Sequence, residues 1–128
     1  MRYYKLTDQD GNTHGGTHWE PGVTHVAAGP GTEFCSPDLI HLYSDPVLAV
    51  MLNPIHGNYF DPRLLAVDAV AVANDHGLQL GCKQATALAW LLLPTVTTEQ
   101  HVRFGILCAL EVCQDTQWRQ WAQGWLSG

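Results

Sequence analysis

The sequence predicts an α+β fold: a mostly antiparallel twisted sheet, a short buried helix after Asp45 and a helical C-terminus. Three observations lead there. The first third alternates short β-prone runs with tight-turn dipeptides, and the middle carries valine-rich apolar segments of strand length. Apolar residues recur convincingly at helical spacing only from Thr97 onward.

The elements follow in order. Arg2 to Thr7 (RYYKLT) is β-prone and ends at Asp10-Gly11, a strong turn dipeptide. A second strand is expected over Thr13 to Trp19, weakened by two adjacent glycines, and a third over Val23 to Ala27 after the Pro21-Gly22 turn. Leu39 to Tyr43 (LIHLY) reads as a strand that runs into Ser44-Asp45-Pro46. Ser44 or Asp45 can accept from the free N–H groups of a helix start, and Pro46 at the first helical position loses no needed donor. The apolar run after it predicts a short buried helix that stops at Asn53-Pro54. Leu64 to Ala73 reads as a central strand, Asn74 to Gly77 as a turn, and Leu78 to Cys82 as a further strand. Ala85 to Leu93 is open between helix and strand, because its alanines favour one and its length and Pro94 allow the other. Thr97 and Gln100 match a capping box, followed by Val102, Ile106, Ala109, Leu110 and Cys113 on one helical face. A last helix restarts at Asp115 or Thr116, with Trp118, Trp121, Ala122, Trp125 and Leu126 on one side. No linker or repeat divides the chain, so residues 1–128 are expected to form a single domain.

Composition narrows the function classes. Six Lys and Arg against twelve Asp and Glu give a net charge of −6, and the six cations are scattered singly. Phosphate binding needs clustered cations, so no nucleic-acid partner is expected. No apolar run approaches the roughly 20 residues of a membrane span, and the N-terminus lacks an apolar export segment, so no membrane partner and a cytosolic location are expected. In a reducing compartment Cys35, Cys82, Cys108 and Cys113 read as thiols, with Cys82, Cys108 and Cys113 as small core residues.

The polar residues offer three candidate sites. Seven histidines and four cysteines raise metal binding, but CxxC, HExxH and a helical HxxxH are all missing. His14 and His18 could share a strand face, yet a third ligand is not apparent, so neither a metal nor a cofactor is expected. Cys35 and His41 could form a thiolate pair only if the chain folds back at Ser36-Pro37-Asp38. His41 and Tyr43 stand at i and i+2 beside Ser44 and the helix start, which makes that strand face the candidate binding site. Trp118, Trp121 and Trp125 form an aromatic stripe suited either to core anchoring or to docking another protein or a second copy.

The pattern FCSPDLIHLYSDPVLAV, followed by LNPIH, RLLAVDAVAV and HGLQLGC, resembles a group of small uncharacterised tailed-phage and prophage proteins. The resemblance covers roughly residues 1 to 113 and brings no known activity with it. More loosely, the strand, Ser-Asp-Pro and helix order resembles ADP-ribosyltransferase-like folds, in which His41, Tyr43 and Ser44 would stand nearest the nicotinamide pocket. The sequence departs from those enzymes in its first strand, RYYKLT, and places Glu99 and Glu111 on a helix instead of at a strand end. The resulting expectation is a phage accessory protein in the host cytosol that acts non-enzymatically by binding another protein, or as a homodimer. The alternatives are an ADP-ribosyltransferase-like enzyme and a phage structural or assembly protein.

Overall fold

The computed structural model describes residues 1–128 and is α+β, with an antiparallel sheet and three helices. Its contacts group into two compact units, Met1–Pro94 and Thr95–Gly128. No helix is long and apolar enough to cross a membrane.

The first unit is built on one hairpin. β1 (Arg2–Thr7), β2 (Asn12–Thr13), β3 (Thr17–His18), β4 (Thr24–Val26) and β5 (Ile40–Leu42) precede helix α1 (Pro46–Leu52). The two long strands β6 (Arg63–Asp75) and β7 (Gln79–Leu91) follow it. The segment left open between helix and strand is therefore the second half of β7. Its Ala85 and Ala87 are buried in the same core cluster as Trp19, and pairing with β6 outweighs their helical preference. His76 and Gly77 both have positive φ, and the Leu78 N–H donates to the Asp75 carbonyl at 2.9 Å. That is a type I′ hairpin turn, whose twist matches the flanking strands.

β1 pairs with β6 on one side of the hairpin. The other edge, β7, is shared by β4, which pairs with Gln84 to Thr86, and β5, which pairs with Leu80 to Cys82. Beyond β5, Tyr43 exchanges two backbone hydrogen bonds with Tyr4 of β1, at 2.8 and 2.9 Å. The strands β1, β6, β7 and β5 thus run into a closed ring, and irregularities near Ala66, Ala69 and Ala71 supply the curvature. The core cluster unites Tyr3, Trp19, Leu42, Leu65, Val67 and Cys82 with smaller neighbours.

Two local expectations change. Thr13 to Trp19 is a small hairpin, β2 and β3, because Gly15 and Gly16 take positive φ and turn the chain. Helix α1 buries only Ala49 and Leu52, whereas Val47 remains 48% exposed, so its apolar residues do not all face the core.

The second unit pairs α2 (Thr98–Leu110) with α3 (Thr116–Leu126). Thr97 and Gln100 form the reciprocal capping box, and Asp115 caps α3. Ile106 and Ala122 are buried. Arg119 donates to the carbonyls of Leu110 and Cys113 at 2.6 and 2.9 Å, satisfying the end of α2. Cys82 is buried as expected, but Cys108 is exposed and Cys113 only half-buried. Cys108 is two residues from Ile106, about 200° around the helix and so away from the buried side, and Cys113 lies beyond the end of α2.

Asp45, not Ser44, caps α1: its Oδ1 accepts from Val47 N–H at 2.7 Å and Leu48 N–H at 3.3 Å. Asp45→Ala should therefore lower stability by about 1 kcal/mol, and Ser44→Ala should leave it nearly unchanged. Urea melts of both variants check this, and equal midpoints would contradict the cap assignment.

Candidate functional site

A cleft of about 720 Å³ opens in the first unit. β1 brings Lys5 to it, β5 and the residue after it bring His41 and Tyr43, and β7 brings Gln79. The segment after α1 adds His56 and Tyr59, and the β2–β3 turn adds His14. No Asp or Glu lines it. In a chain of net charge −6, this cleft is cationic or neutral throughout.

Lys5 reaches the cleft because β1 alternates. Tyr3, Lys5 and Thr7 share the inward face, and Tyr3 and Thr7 are buried. The Lys5 ammonium donates to the His41 carbonyl at 2.9 Å and lies 5.6 Å from the Trp19 ring centre. It has no carboxylate partner. Burial lowers its pKa from 10.5 to about 8, and the nearby Cys82 thiol only partly opposes that shift. The Cys82 thiol is itself pushed up by burial, with Lys5 pulling the other way.

His41 and Tyr43 line the same cleft, as their i, i+2 spacing on one strand requires. Tyr43 is only 6% exposed, so it belongs to the packed structure as much as to the cleft. Its hydroxyl lies 2.6 Å from His56 Nδ1, with the two rings stacked at 5.8 Å. Burial raises the phenol to about 12, against the effect of a hydrogen bond with Gln79, so it keeps its proton at neutral pH. The His41 pKa is lowered, first by burial and then by Lys5 and His56, which leaves the imidazole neutral there. Ser44 is exposed and does not line the cleft.

The chain does fold back at Ser36-Pro37-Asp38. What meets His41 is nevertheless the backbone N–H of Cys35, which donates to Nε2 at 3.3 Å, with Phe34 stacked on the imidazole at 5.8 Å. The contact orients His41 as an acceptor and does not activate the thiol. His14 and His18 are separated by the β2–β3 turn. His14 Nε2 meets the Gly57 carbonyl at 2.6 Å and its ring stacks on Tyr59, whereas His18 Nδ1 meets Asn12 at 2.8 Å. No three His, Cys, Asp or Glu side chains gather where they could hold a metal ion.

Two clasps hold the walls. Asn53 ends α1 and exchanges two hydrogen bonds with the Tyr59 backbone, at 2.9 and 3.0 Å, which places His56 and Tyr59. Lys83 donates to the carbonyls of Gly29, Gly31 and Asp38, tying down the loop that carries Cys35 to Pro37.

The tryptophan stripe lies in the second unit and is not uniform. Arg103 sits 5.6 Å from the Trp125 ring centre and donates to the Leu126 carbonyl at 3.0 Å, joining α2 to α3. Trp118 is half-buried, its ring 6.4 Å from that of Trp121, and Trp121 is 55% exposed.

The residues missed from the sequence are Lys5, Gln79, His56 and Tyr59, and His14, considered there only as a metal ligand beside His18, lines the cleft instead. Lys5 alone had a readable signal, the alternation of Tyr3, Lys5 and Thr7 in RYYKLT. Comparison with family models, curated proteins and solved structures finds no match.

A consequence of the buried cation is measurable. Below about pH 8 Lys5 is charged in both folded and unfolded chains, and the burial penalty is fully present. Between about 8 and 10.5 the folded state loses the proton first, so the penalty disappears as pH rises. Relative to the parent, Lys5→Met should thus be more stable at pH 7 than at pH 10, by roughly 1–3 kcal/mol. Denaturant melts of both proteins at the two pH values test this; a gap independent of pH would contradict it.

Proposed function

We propose that the chain is a binding protein whose cleft takes a small molecule carrying an anionic oxygen group, a carboxylate or phosphate, on a compact planar body. One observation carries the reading: the Lys5 ammonium is part-buried in a cleft and has one protein acceptor and no counter-charge. An unpaired buried cation is costly, and a ligand anion would relieve that cost. The absence of Asp and Glu from the lining favours the same ligand charge, and Gln79, only 7% exposed, adds a neutral polar group. The stacked Phe34–His41 and His14–Tyr59 pairs suit a planar body. The volume of about 720 Å³ falls within the usual range for small-molecule sites.

A second reading keeps the phage accessory protein that acts in the host cytosol by binding another protein or a second copy. What favours it is Trp121, more than half exposed on α3 beside Trp118. The ADP-ribosyltransferase-like alternative draws less support, since no carboxylate lines the cleft beside His41 and Tyr43.

Calorimetry with benzoate, phenyl phosphate and uncharged benzamide tests the cleft. The anions should bind, benzamide should bind at least tenfold more weakly, and Lys5→Met should lose at least tenfold for the anions alone. His41 and Cys82 interact with Lys5 from the neighbouring strands, with His56 next to His41, and none brings an anion at neutral pH. Anion affinity should therefore fall as pH rises through about 8, where the lysine discharges. Equal binding of benzamide, or anion binding indifferent to Lys5, would reject the reading.

A further inference from the structure

The chain has three primary amines: the Met1 N-terminus, Lys5 and Lys83. Their surroundings differ sharply. The Met1 ammonium is exposed and paired with Asp68 at 2.7 Å. The Lys83 ammonium is occupied by three carbonyls. Only Lys5 sits in the cleft with a single acceptor, which leaves two of its N–H directions free of protein partners.

We propose that Lys5 is a nucleophile whose ε-amine condenses with an aldehyde-bearing acid held in the cleft, forming an imine and releasing water. The proposal rests on the anion-binding reading and adds to it the chemical class of ligand. The nitrogen lone pair attacks the carbonyl carbon, the C–N bond forms and the C=O π pair moves to oxygen. That oxygen takes up a proton while nitrogen releases one, giving a carbinolamine. Protonation of the hydroxyl and departure of water then give the C=N bond, with no oxidant or reductant required.

The cleft supplies the parts such a step needs. Burial favours an uncharged amine over a fully hydrated ammonium, and the Trp19 ring face, 5.6 Å away, offsets only part of that by attracting the cation. A pKa of about 8 leaves a usable fraction of free amine near neutral pH. His41 from β5 and Cys82 from β7 are the titratable groups that interact with it, His56 from the segment after α1 interacts with His41 in turn, and no carboxylate lines the cleft to hold the amine protonated. The Tyr43–His56 pair, 2.6 Å apart on the cleft wall, can give and receive the protons exchanged at the carbonyl oxygen. The protonated imine keeps the positive charge of the lysine, so the ligand's acid group retains its complement.

The test uses the full chain with 2-carboxybenzaldehyde, a planar aldehyde whose ortho carboxylate lies beside the imine that would form. Sodium borohydride is then added to trap any imine, and intact mass and peptide mapping locate the adduct. Lys5 should be trapped at least tenfold faster than Met1 or Lys83, with a rate that saturates in aldehyde, rises with pH through about 8 and is competed by benzoate. Lys5→Arg, checked for an unchanged circular dichroism spectrum, should lose the dominant adduct. Calorimetric binding of 2-carboxybenzaldehyde with no borohydride-dependent adduct would overturn the imine and leave anion binding standing. Labelling spread evenly over the three amines, or insensitive to benzoate, would also overturn it. Absence of both binding and adduct would remove both readings.

Discussion

The register of the β6–β7 hairpin is the constraint on which the first unit depends. A turn with positive φ at His76 and Gly77 pairs Asp75 with Gln79, and that pairing sends Leu80 and Cys82 inward. A slip of one residue would turn these side chains outward and expose the face that Trp19 covers. The hairpin also defines the edge that β4 and β5 share. Because Leu42 is paired with Leu80, the His41 carbonyl arrives beside β1, where the Lys5 ammonium meets it. The Tyr4–Tyr43 bonds close the ring at that same seam.

Closure has an electrostatic consequence. The carboxylates of this acidic chain lie elsewhere, on turns, at helix caps and on the outer strand face. The segments that converge on the cleft bring imidazoles, phenols, a thiol and one amine. Burial acts on these groups in opposite directions: it lowers Lys5 and His41 and raises Tyr43, Tyr59 and Cys82. Each shift favours the neutral form. The result is a site in which Lys5, still mostly protonated at neutral pH, stands among neutral neighbours and offers a ligand's negative charge one defined point.

The second unit uses different means. Its helices bury little, with Ile106 and Ala122 as their buried residues, so side-chain bonds to helix ends and the packing of Trp125 under Arg103 join them. The aromatic stripe is thereby divided. Trp125 serves the helix pair, and Trp121 presents its ring to solvent.

How much was legible follows from the range over which each feature is decided. β1, the start of α1 at Pro46, the Asn74–Gly77 turn and the capping box at Thr97 rest on neighbouring residues, and the sequence alone determined them, although it left the cap of α1 open between Ser44 and Asp45. So did the common placement of His41 and Tyr43, since alternation is a property of a single strand. The second half of β7 needed β6 to outweigh its alanines, and the division of Thr13 to Trp19 into a hairpin depended on how two glycines turn. The cleft itself was not legible. Lys5 and His41 are 36 positions apart, and Tyr43 and His56 are 13 apart across a helix. Spacing describes which face a residue takes on its own element, whereas only the closed ring of strands decides which faces meet and which charges they exclude. The burial that lowers the Lys5 pKa is thus a property of the tertiary structure, because it comes from segments that the chain brings together only when the ring closes.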